Sequence, residues 1–331
     1  MPWRRPQVAT LKVFAFDHAC AGAAGATRPS AAQRFDGELM LRALCADLRR
    51  LPGVELVTLD AAATRPAGGA FDRVFTDCVL AADAVWPLAS VSSGVLERLS
   101  RDVLQHGRIL LGSTPAAVRL AGSKRAACQA LLGAGIPTVA TFGPGDTLPA
   151  APGAWVVKPD DGAGCIDTRL FHDRSAAQLA AAAHVGRELV LQPFVAGRVG
   201  SLSLLCRDGM ASVLGCNEQR MAVHDNHFRF LGVTVNGLAS MAPQLEALGM
   251  AVAAALPGLW GYAGVDFILA DSGPLVLDVN PRLTISYAGL HASTGINPAG
   301  AVLALLQPGM PLALPGRMPA CIVDVPAFAP G

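Results

Sequence analysis

The feature that most restricts the fold is a pair of apolar runs around a tight turn. Gly264-Val265-Asp266-Phe267-Ile268-Leu269-Ala270 is followed by Asp271-Ser272-Gly273 and then by Pro274-Leu275-Val276-Leu277-Asp278-Val279-Asn280. Two β-prone runs separated by a short Gly-containing turn predict an antiparallel hairpin. With the turn centred on Ser272, Asp266 stands opposite Asp278, and Asn280 shares their face. The other face then carries Val265, Phe267, Leu269, Leu275, Leu277 and Val279 into a core. Directly opposed residues have Cβ atoms about 4.5–5.5 Å apart, and like charges there are destabilising. Slipping the register by one residue would solvate both acids, but it would also expose the Phe267 face. Two carboxylates held side by side call for a compensating cation. Mg²⁺ suits the position because it takes one or two carboxylates together with phosphate oxygens. Asp266, Asp278 and Asn280 are therefore the candidate metal ligands.

Upstream, strand and helix signals alternate. Leu11–Phe16 reads as a strand, 36–51 as a helix with Leu39, Met40, Leu44, Leu48 and Leu51 near a 3.6 period, and 55–59 and 73–76 as strands. A helix over 95–105 and a strand over 108–111 follow, which implies a parallel sheet with crossover helices. Ser123 caps a helix over 123–132 that ends at Gly133 and Gly135. Beyond Pro137, strand signals dominate: 155–158, 168–171, 188–194, 201–206, 211–217, 264–270 and 274–280. Helices at 176–184 and 243–256 lie among them. The segment from Met310 is proline-rich, with one short strand near 321–325. At about 100–200 residues per domain, 331 residues allow roughly two domains.

Lysine is scarce. The chain has 26 basic residues, of which only Lys12, Lys124 and Lys158 are lysines, leaving 23 arginines. Lysine is a compact point charge, unlike the planar guanidinium fork. Lys158 closes the strand Trp155-Val156-Val157-Lys158 and precedes Pro159-Asp160-Asp161-Gly162-Ala163-Gly164. Glycines let backbone N–H groups approach an oxyanion while a neighbouring ammonium neutralises it. The loop is neither a Walker A loop nor a dinucleotide-binding fingerprint. Arg282, just past Asn280, is placed to stabilise charge on a transferring phosphoryl group or acyl phosphate.

Composition removes several classes. Net charge is +1 and aromatic content 5%, which favours neither a polyanion-binding surface nor a base-stacking platform, so nucleic acid is not an expected partner. The uncharged stretch 247–265 is broken by Pro257, Gly258, Gly261 and Gly264, so it reads as helix then strand rather than a membrane span. Eight cysteines without a C-x-x-C pair offer no zinc-site spacing. The expectation is a cytoplasmic protein without a membrane anchor.

Taken in order, the motifs are a lysine opening a helix, V-V-K-P, a Gly-rich loop, Q-x-F-x-x-G, G-x-D-F and D-x-N-P-R. This series resembles the ATP-grasp superfamily of ATP-dependent carboxylate–amine ligases. The resemblance implies an ATP-grasp fold, α/β plus α+β, with an N-terminal Rossmann-like domain over 1–114, a central lobe over 115–196 and a C-terminal lobe over 197–331, the two lobes gripping ATP. It implies that Lys124 and Lys158 contact phosphates, that Asp161, Gly162, Ala163 and Gly164 cover them, and that Gln192, Pro193, Phe194 and Val195 hold adenine. Asp266, Asp278 and Asn280 would bind one or two Mg²⁺ or Mn²⁺ ions, and Lys158 and Arg282 would carry catalysis. The chain departs from the family pattern at Ser123, Pro193 and Asp278, where aspartate, glutamate and glutamate are usual.

Within the superfamily, Asn280 to Leu290 is most similar to the tyramine–glutamate ligases of methanofuran biosynthesis. That similarity implies glutamate, or a similar amino acid, joined to a small amine such as tyramine. Relatives serving tetrahydromethanopterin or another cofactor pathway are the alternative. Arg220, Ser286 and Tyr287 are weaker substrate candidates, as are Arg229, Asp17 and Glu38, and His18, His224 and His227 are candidate bases. Family members are often homodimers. Two readings from other classes are a non-catalytic ATP sensor and a nucleotide-binding oxidoreductase resting on Gly22 and Gly25 after the first strand.

Overall fold

The computed structural model describes residues 10–21, 29–59, 70–162, 164–184, 186, 188–307, 309–312 and 319–326. Ala163, Gly22 and Gly25 lie outside them. The first sheet contains β1 (Leu11–Asp17), β2 (Val54–Val57), β3 (Ala84–Leu88) and β4 (Ile109–Leu110), all parallel, in the order β2-β1-β3-β4. Helices α1 (Ala31–Arg49), α2 (Ala70–Ala81) and α3 (Val95–Gln105) make the crossovers.

α1 begins earlier than the sequence predicts because Ser30 and Gln33 form a capping box. The Gln33 N–H donates to Ser30 Oγ, and the Ser30 N–H donates to Gln33 Oε1. The strand expected over 73–76 is part of α2. Phe71, Phe75 and Val79 recur at helical spacing and pack with Phe14 and Phe16 of β1, so a 3.6 period prevails over local β-propensity.

α4 (Pro115–Gly122) and α5 (Lys124–Gly133) follow, the second capped by Ser123 Oγ accepting from the Ala126 N–H. The second sheet is antiparallel. It comprises β5 (Trp155–Pro159), β6 (Arg169–Phe171), β7 (Leu189–Pro193), β8 (Arg198–Arg207), β9 (Met210–His224), β10 (His227–Val235), β11 (Gly261–Ala270), β12 (Gly273–Asn280) and β13 (Cys321–Asp324). The order is β12-β11-β8-β9-β10-β6-β5-β7, with β13 also paired to β10. α6 (Arg174–Ala183) covers β5 to β7, and α7 (Ala242–Ala255) packs on β8 and β9. Among the described residues a single register pair, His227 with Arg169, joins β10 to β6 and so the two parts of this sheet.

The strand expected over 211–217 runs on to His224, turns through Asp225 and Asn226, both left-handed, and returns as β10. These residue types tolerate positive φ, which a two-residue hairpin turn needs.

Two helices absent from the sequence reading follow β12, α8 (Tyr287–Thr294) and α9 (Pro298–Ala304). Asp47 of α1 is buried and binds both of them. It accepts from Tyr287 Oη at 3.1 Å, lies 2.5 Å from His291 Nδ1, and its carbonyl accepts from Asn297 Nδ2 at 2.9 Å. One apolar core therefore runs from Val13, Leu44 and Leu48 to Leu290, Val302 and Leu305. Among the described residues no helix is long and apolar enough to cross a membrane.

Candidate functional site

A cavity of about 610 Å³ opens between the two sheets. Its walls come from the carboxyl end of β1, one face of α1, the loop after β5, the end of β7, the hairpin β9–β10 and the hairpin β11–β12.

The hairpin β11–β12 sets its acidic end. Asp266 pairs with Asp278 and Gly264 with Asn280, as the sequence predicts. The turn, however, spans only Asp271 and Ser272, because Ala270 pairs with Gly273. The two registers are reconciled by a β-bulge, since Asp266 faces Asp278 while Phe267 faces Val276. Leu277 is the extra residue, and such an insertion re-aims side chains. This corrects the expected apolar face: Val276, not Leu275 and Leu277, buries with Phe267, whereas Leu277 joins the cavity wall.

Asp266 accepts from Gln219 Nε2 at 2.7 Å and from Asn280 Nδ2 at 3.0 Å. Burial first, and the Asp278 carboxylate second, push its pKa up to about 6. Asp278 lies 3.4 Å from Lys124 Nζ. The donor set fits a hard divalent cation: two facing carboxylates burdened by like charge, and an amide beside them. Among the described residues no group of three or more His, Cys, Asp and Glu side chains could hold a metal, so phosphate oxygens or water would have to complete its coordination.

The two lysines separate in role. Lys124 opens α5 and is buried, its Nζ donating to Gly162 O at 2.6 Å and to Asp160 O at 3.2 Å. It thereby ties the Gly-rich loop to Asp278 as well as lining the cavity. Lys158 Nζ has no hydrogen-bond partner among the described residues. Burial, with the Lys124 ammonium second, pulls its pKa down to about 8. Two ammonium groups held this near one another suit a polyanion.

Arg282 donates from Nη1 to Leu283 O at 2.9 Å, while its buried Nε has no partner among the described residues. Burial lowers its pKa, against the carboxylates of Asp278, Asp266, Asp36 and Asp17.

Gln192, Pro193, Phe194 and Val195 line the cavity together with Val156, Ile268 and Leu277. Gln192 is buried and donates to Thr141 Oγ1 at 2.8 Å. Gly162 and Gly164 also line the cavity. Asp161 does not. Its Oδ2 accepts from the Ser93 N–H at 2.9 Å and its carbonyl from Ser92 Oγ at 2.6 Å, so it fastens the loop to the segment before α3.

The weaker substrate candidates divide. Ser286 lines the cavity within a hydroxyl network with Ser203, Tyr262 and Thr284. Tyr287 is buried against Asp47 instead, which makes it a core residue. Arg220 binds Asp324 and Val323 O of β13, because strand alternation sends it away from the face of Gln219 and Met221. Arg229 alternates away from Phe228 and Phe230 in the same manner.

Glu38 is exposed, whereas Asp36 faces inward with Gln33, Gly37 and Met40, at positions one helical turn apart. The 3.6 period carried that signal, which the sequence reading missed. Asp17 closes β1 and lines the cavity, and Gly37 packs so closely on it that a Cβ would fall 2.6 Å from its carboxyl carbon. His18 lines the cavity too, its pKa pulled down to about 4 by burial and then by Arg98. His224 and His227 flank the hairpin turn outside the cavity.

These features define a nucleotide-sized cleft between α/β layers, and sequence comparison gives its class. The chain belongs to the ATP-grasp domain family, which matches residues 121–286, and the pre-ATP-grasp 3 domain matches residues 41–118. No protein of curated function matches the chain in sequence. Among solved structures, an ATP-grasp superfamily protein from Archaeoglobus fulgidus is 19% identical, covering 96% of this chain and 100% of that one, with a TM-score of 0.67. L-amino acid ligase from Bacillus licheniformis is 16% identical, covering 89% and 73% respectively, with a TM-score of 0.61. D-alanine–D-alanine ligase from Bacillus anthracis is 16% identical, covering 84% and 88%, with a TM-score of 0.59. These likenesses establish the ATP-grasp fold.

Proposed function

We propose that this chain is an ATP-dependent ligase that joins a carboxylate to an amine through an acyl phosphate. One observation carries the reading: an ammonium with no hydrogen-bond partner among the described residues (Lys158), a buried arginine (Arg282) and two facing carboxylates (Asp266, Asp278) converge on one cavity. In this reading the substrate carboxylate attacks the γ-phosphate of ATP, releasing ADP, and the amine then displaces phosphate to form the amide.

Lys158 and Lys124 neutralise the nucleotide phosphates. Gly162 and Gly164 bring backbone N–H groups close to them, and Ala163 belongs to the same loop. Arg282 holds the charge that develops on the transferring group. Gln192 to Val195 seat the adenine against Val156 and Ile268. Asp266, Asp278 and Asn280 would hold Mg²⁺, which when bound offsets phosphate charge. In our division of the chain, 1–114 supplies the amine side, and 115–196 and 197–331 enclose the nucleotide.

The finer assignment is glutamate with tyramine or a similar amine, in a methanofuran-type or related one-carbon cofactor pathway. It is supported by the run Asn280 to Leu290, together with Asn217, Gln219 and Phe230-Leu231-Gly232. The test is ADP release across amine and amino-acid pairs, beginning with glutamate and tyramine and continuing through aminomethylfuran- and pterin-type amines. Amine-dependent ADP release that Lys158→Met abolishes is the expected result. Mg²⁺-dependent ATP binding without ADP release for any pair would leave an ATP sensor instead.

A further inference from the structure

A ring of four hydroxyls is buried behind the cavity. Ser203 Oγ lies 3.0 Å from Tyr262 Oη, Tyr262 Oη 2.8 Å from Thr284 Oγ1, and Thr284 Oγ1 2.8 Å from Ser286 Oγ. Ser286 Oγ closes the ring at 3.2 Å from both Ser203 Oγ and Tyr262 Oη. Ser203, Tyr262 and Ser286 are all buried, yet Thr284 and Ser286 line the cavity. Sealing so many polar groups beside the apolar cluster of Leu205, Tyr287 and Leu290 is costly unless each is satisfied.

Asn217 sets the direction of the ring. It is fully buried, and its Oδ1 accepts from the Asn236 backbone N–H at 3.2 Å. A backbone N–H can only donate, so the atom facing it is the oxygen and the amide cannot be flipped. Nδ2 then donates to Ser203 Oγ at 3.0 Å and toward Ser201 Oγ at 3.4 Å. Asn236 is held in turn, its Oδ1 accepting from the Cys216 N–H at 3.0 Å and its Nδ2 donating to Ser293 Oγ at 2.7 Å. Since Ser203 accepts from Asn217, the shortest contacts run one way: Ser203 donates to Tyr262, Tyr262 to Thr284 and Thr284 to Ser286. The last proton, on Ser286, has only the two 3.2 Å contacts, the longest in the ring, so a stronger acceptor in the cavity takes it. Burial holds the Tyr262 hydroxyl above its usual pKa, and an amide side chain does not titrate. The ring therefore orients a donor and carries no proton away.

Its neighbours say what that donor meets. Arg282 stands two residues before Thr284, and its buried Nε has no partner among the described residues. A guanidinium only donates, so the group it faces in the cavity is an acceptor. A Cβ built on Gly264 would fall 2.7 Å from Thr284 Cγ2 and 3.5 Å from Asn280 Cβ. Glycine at 264 thus leaves room for the ring to stand against the candidate metal ligand Asn280.

We propose that Asn217, Ser203 and Tyr262 are positioning residues that, through Thr284, hold the Ser286 hydroxyl as a donor to an acyl oxygen of the acid substrate beside Arg282. This assignment rests on the ligase reading above and adds to it the residues that orient the acyl group. One carboxylate oxygen bonds to the γ-phosphorus as the bond to ADP breaks. The other keeps the Ser286 hydrogen bond, so the acyl carbon stays turned toward the amine.

The test runs the first step backwards in the whole chain, with acetyl phosphate or carbamoyl phosphate and Mg·ADP, read as ATP formed in a luciferase assay. Asn217→Asp keeps the acceptor for Asn236 but replaces the donor to Ser203 by an acceptor, which reverses the ring. Ser203→Ala and Tyr262→Phe interrupt it without burying a charge, and they carry the test if Asn217→Asp does not fold. Each variant should raise KM for the acyl phosphate about tenfold or more, while KM for Mg·ADP stays within about twofold. A purely structural role moves both constants together. An unchanged acyl-phosphate KM in Ser203→Ala and Tyr262→Phe, or an equal rise in both constants, overturns the positioning role and leaves the ligase reading standing. No ATP from either acyl phosphate with the wild-type chain sinks the ligase reading and this assignment with it.

Discussion

Lys124 and Lys158 have the same expected role by sequence, yet the structure gives them opposite effects on stability. The perturbation is Lys→Met at each, measured by urea unfolding without nucleotide. Lys124 Nζ satisfies Gly162 O, Asp160 O and Asp278 at 2.6, 3.2 and 3.4 Å. Removing it strands a largely buried carboxylate and the Gly162 carbonyl, while Asp160 O keeps its bond from the Lys124 backbone N–H at 3.1 Å. Breaking a buried pair costs about 3–5 kcal/mol, and we expect about 3 because Asp278 keeps some exposure. With a urea slope of about 3 kcal/mol per molar, the midpoint falls by about 1 M.

The Lys158 ammonium has no hydrogen-bond partner among the described residues, and its folded pKa of about 8 lies below the ordinary lysine value of 10.5. A depressed lysine costs stability fully below the folded pKa, and that cost disappears as pH rises through the unfolded one. The difference corresponds to roughly 3 kcal/mol at most. Lys158→Met should therefore match or exceed wild type at pH 7, with the gain shrinking between pH 8 and 10.5. Both variants should lose stabilisation by Mg·ATP in a thermal-shift assay. A wild-type midpoint for Lys124→Met, or a lowered midpoint for Lys158→Met at pH 7, refutes the reasoning.

Three further outcomes are expected. Gly37→Ala gains about 1 kcal/mol of helix propensity but drives a Cβ into Asp17, so a net loss of about 1–2 kcal/mol should appear in chemical denaturation. Asp266→Asn relieves the opposed charge and should leave the unliganded melting temperature equal or higher, while Mg²⁺ no longer raises it in the presence of ATP. Tyr287→Phe removes the hydroxyl bond to Asp47 and should cost about 1 kcal/mol of stability with turnover intact; lost turnover would return Tyr287 to the site.

The sequence disclosed what is set by local periodicity. The opposition of Asp266 and Asp278 followed from an alternating pattern and a turn, and α3 and α5 from their spacing and the Ser123 cap. Features that depend on distant partners were not legible. The bulge at Leu277 arises because one hairpin must serve both a core and a cavity, and a symmetric turn hides it. Asp161 turns toward Ser93, sixty-eight positions away, which no local pattern announces. Arg220 was drawn toward a substrate role by its charge, but its partner comes from the C-terminal strand. β10 went unread because Asp225 and Asn226 mark a turn only once the strand beyond them is seen.

The clasp at Asp47 bears on how such a chain can be cut or exchanged. The family boundary at residue 286 falls immediately before Tyr287, whose hydroxyl seals α1. A fragment ending there would discard α8 and α9, bare the Leu44 and Leu48 side of α1, and leave Asp47 without its three companions. Modules that travel between genes keep their cores to themselves, and these two halves do not. Any successful chimaera must inherit the amino-terminal sheet and the closing helices as a matched set.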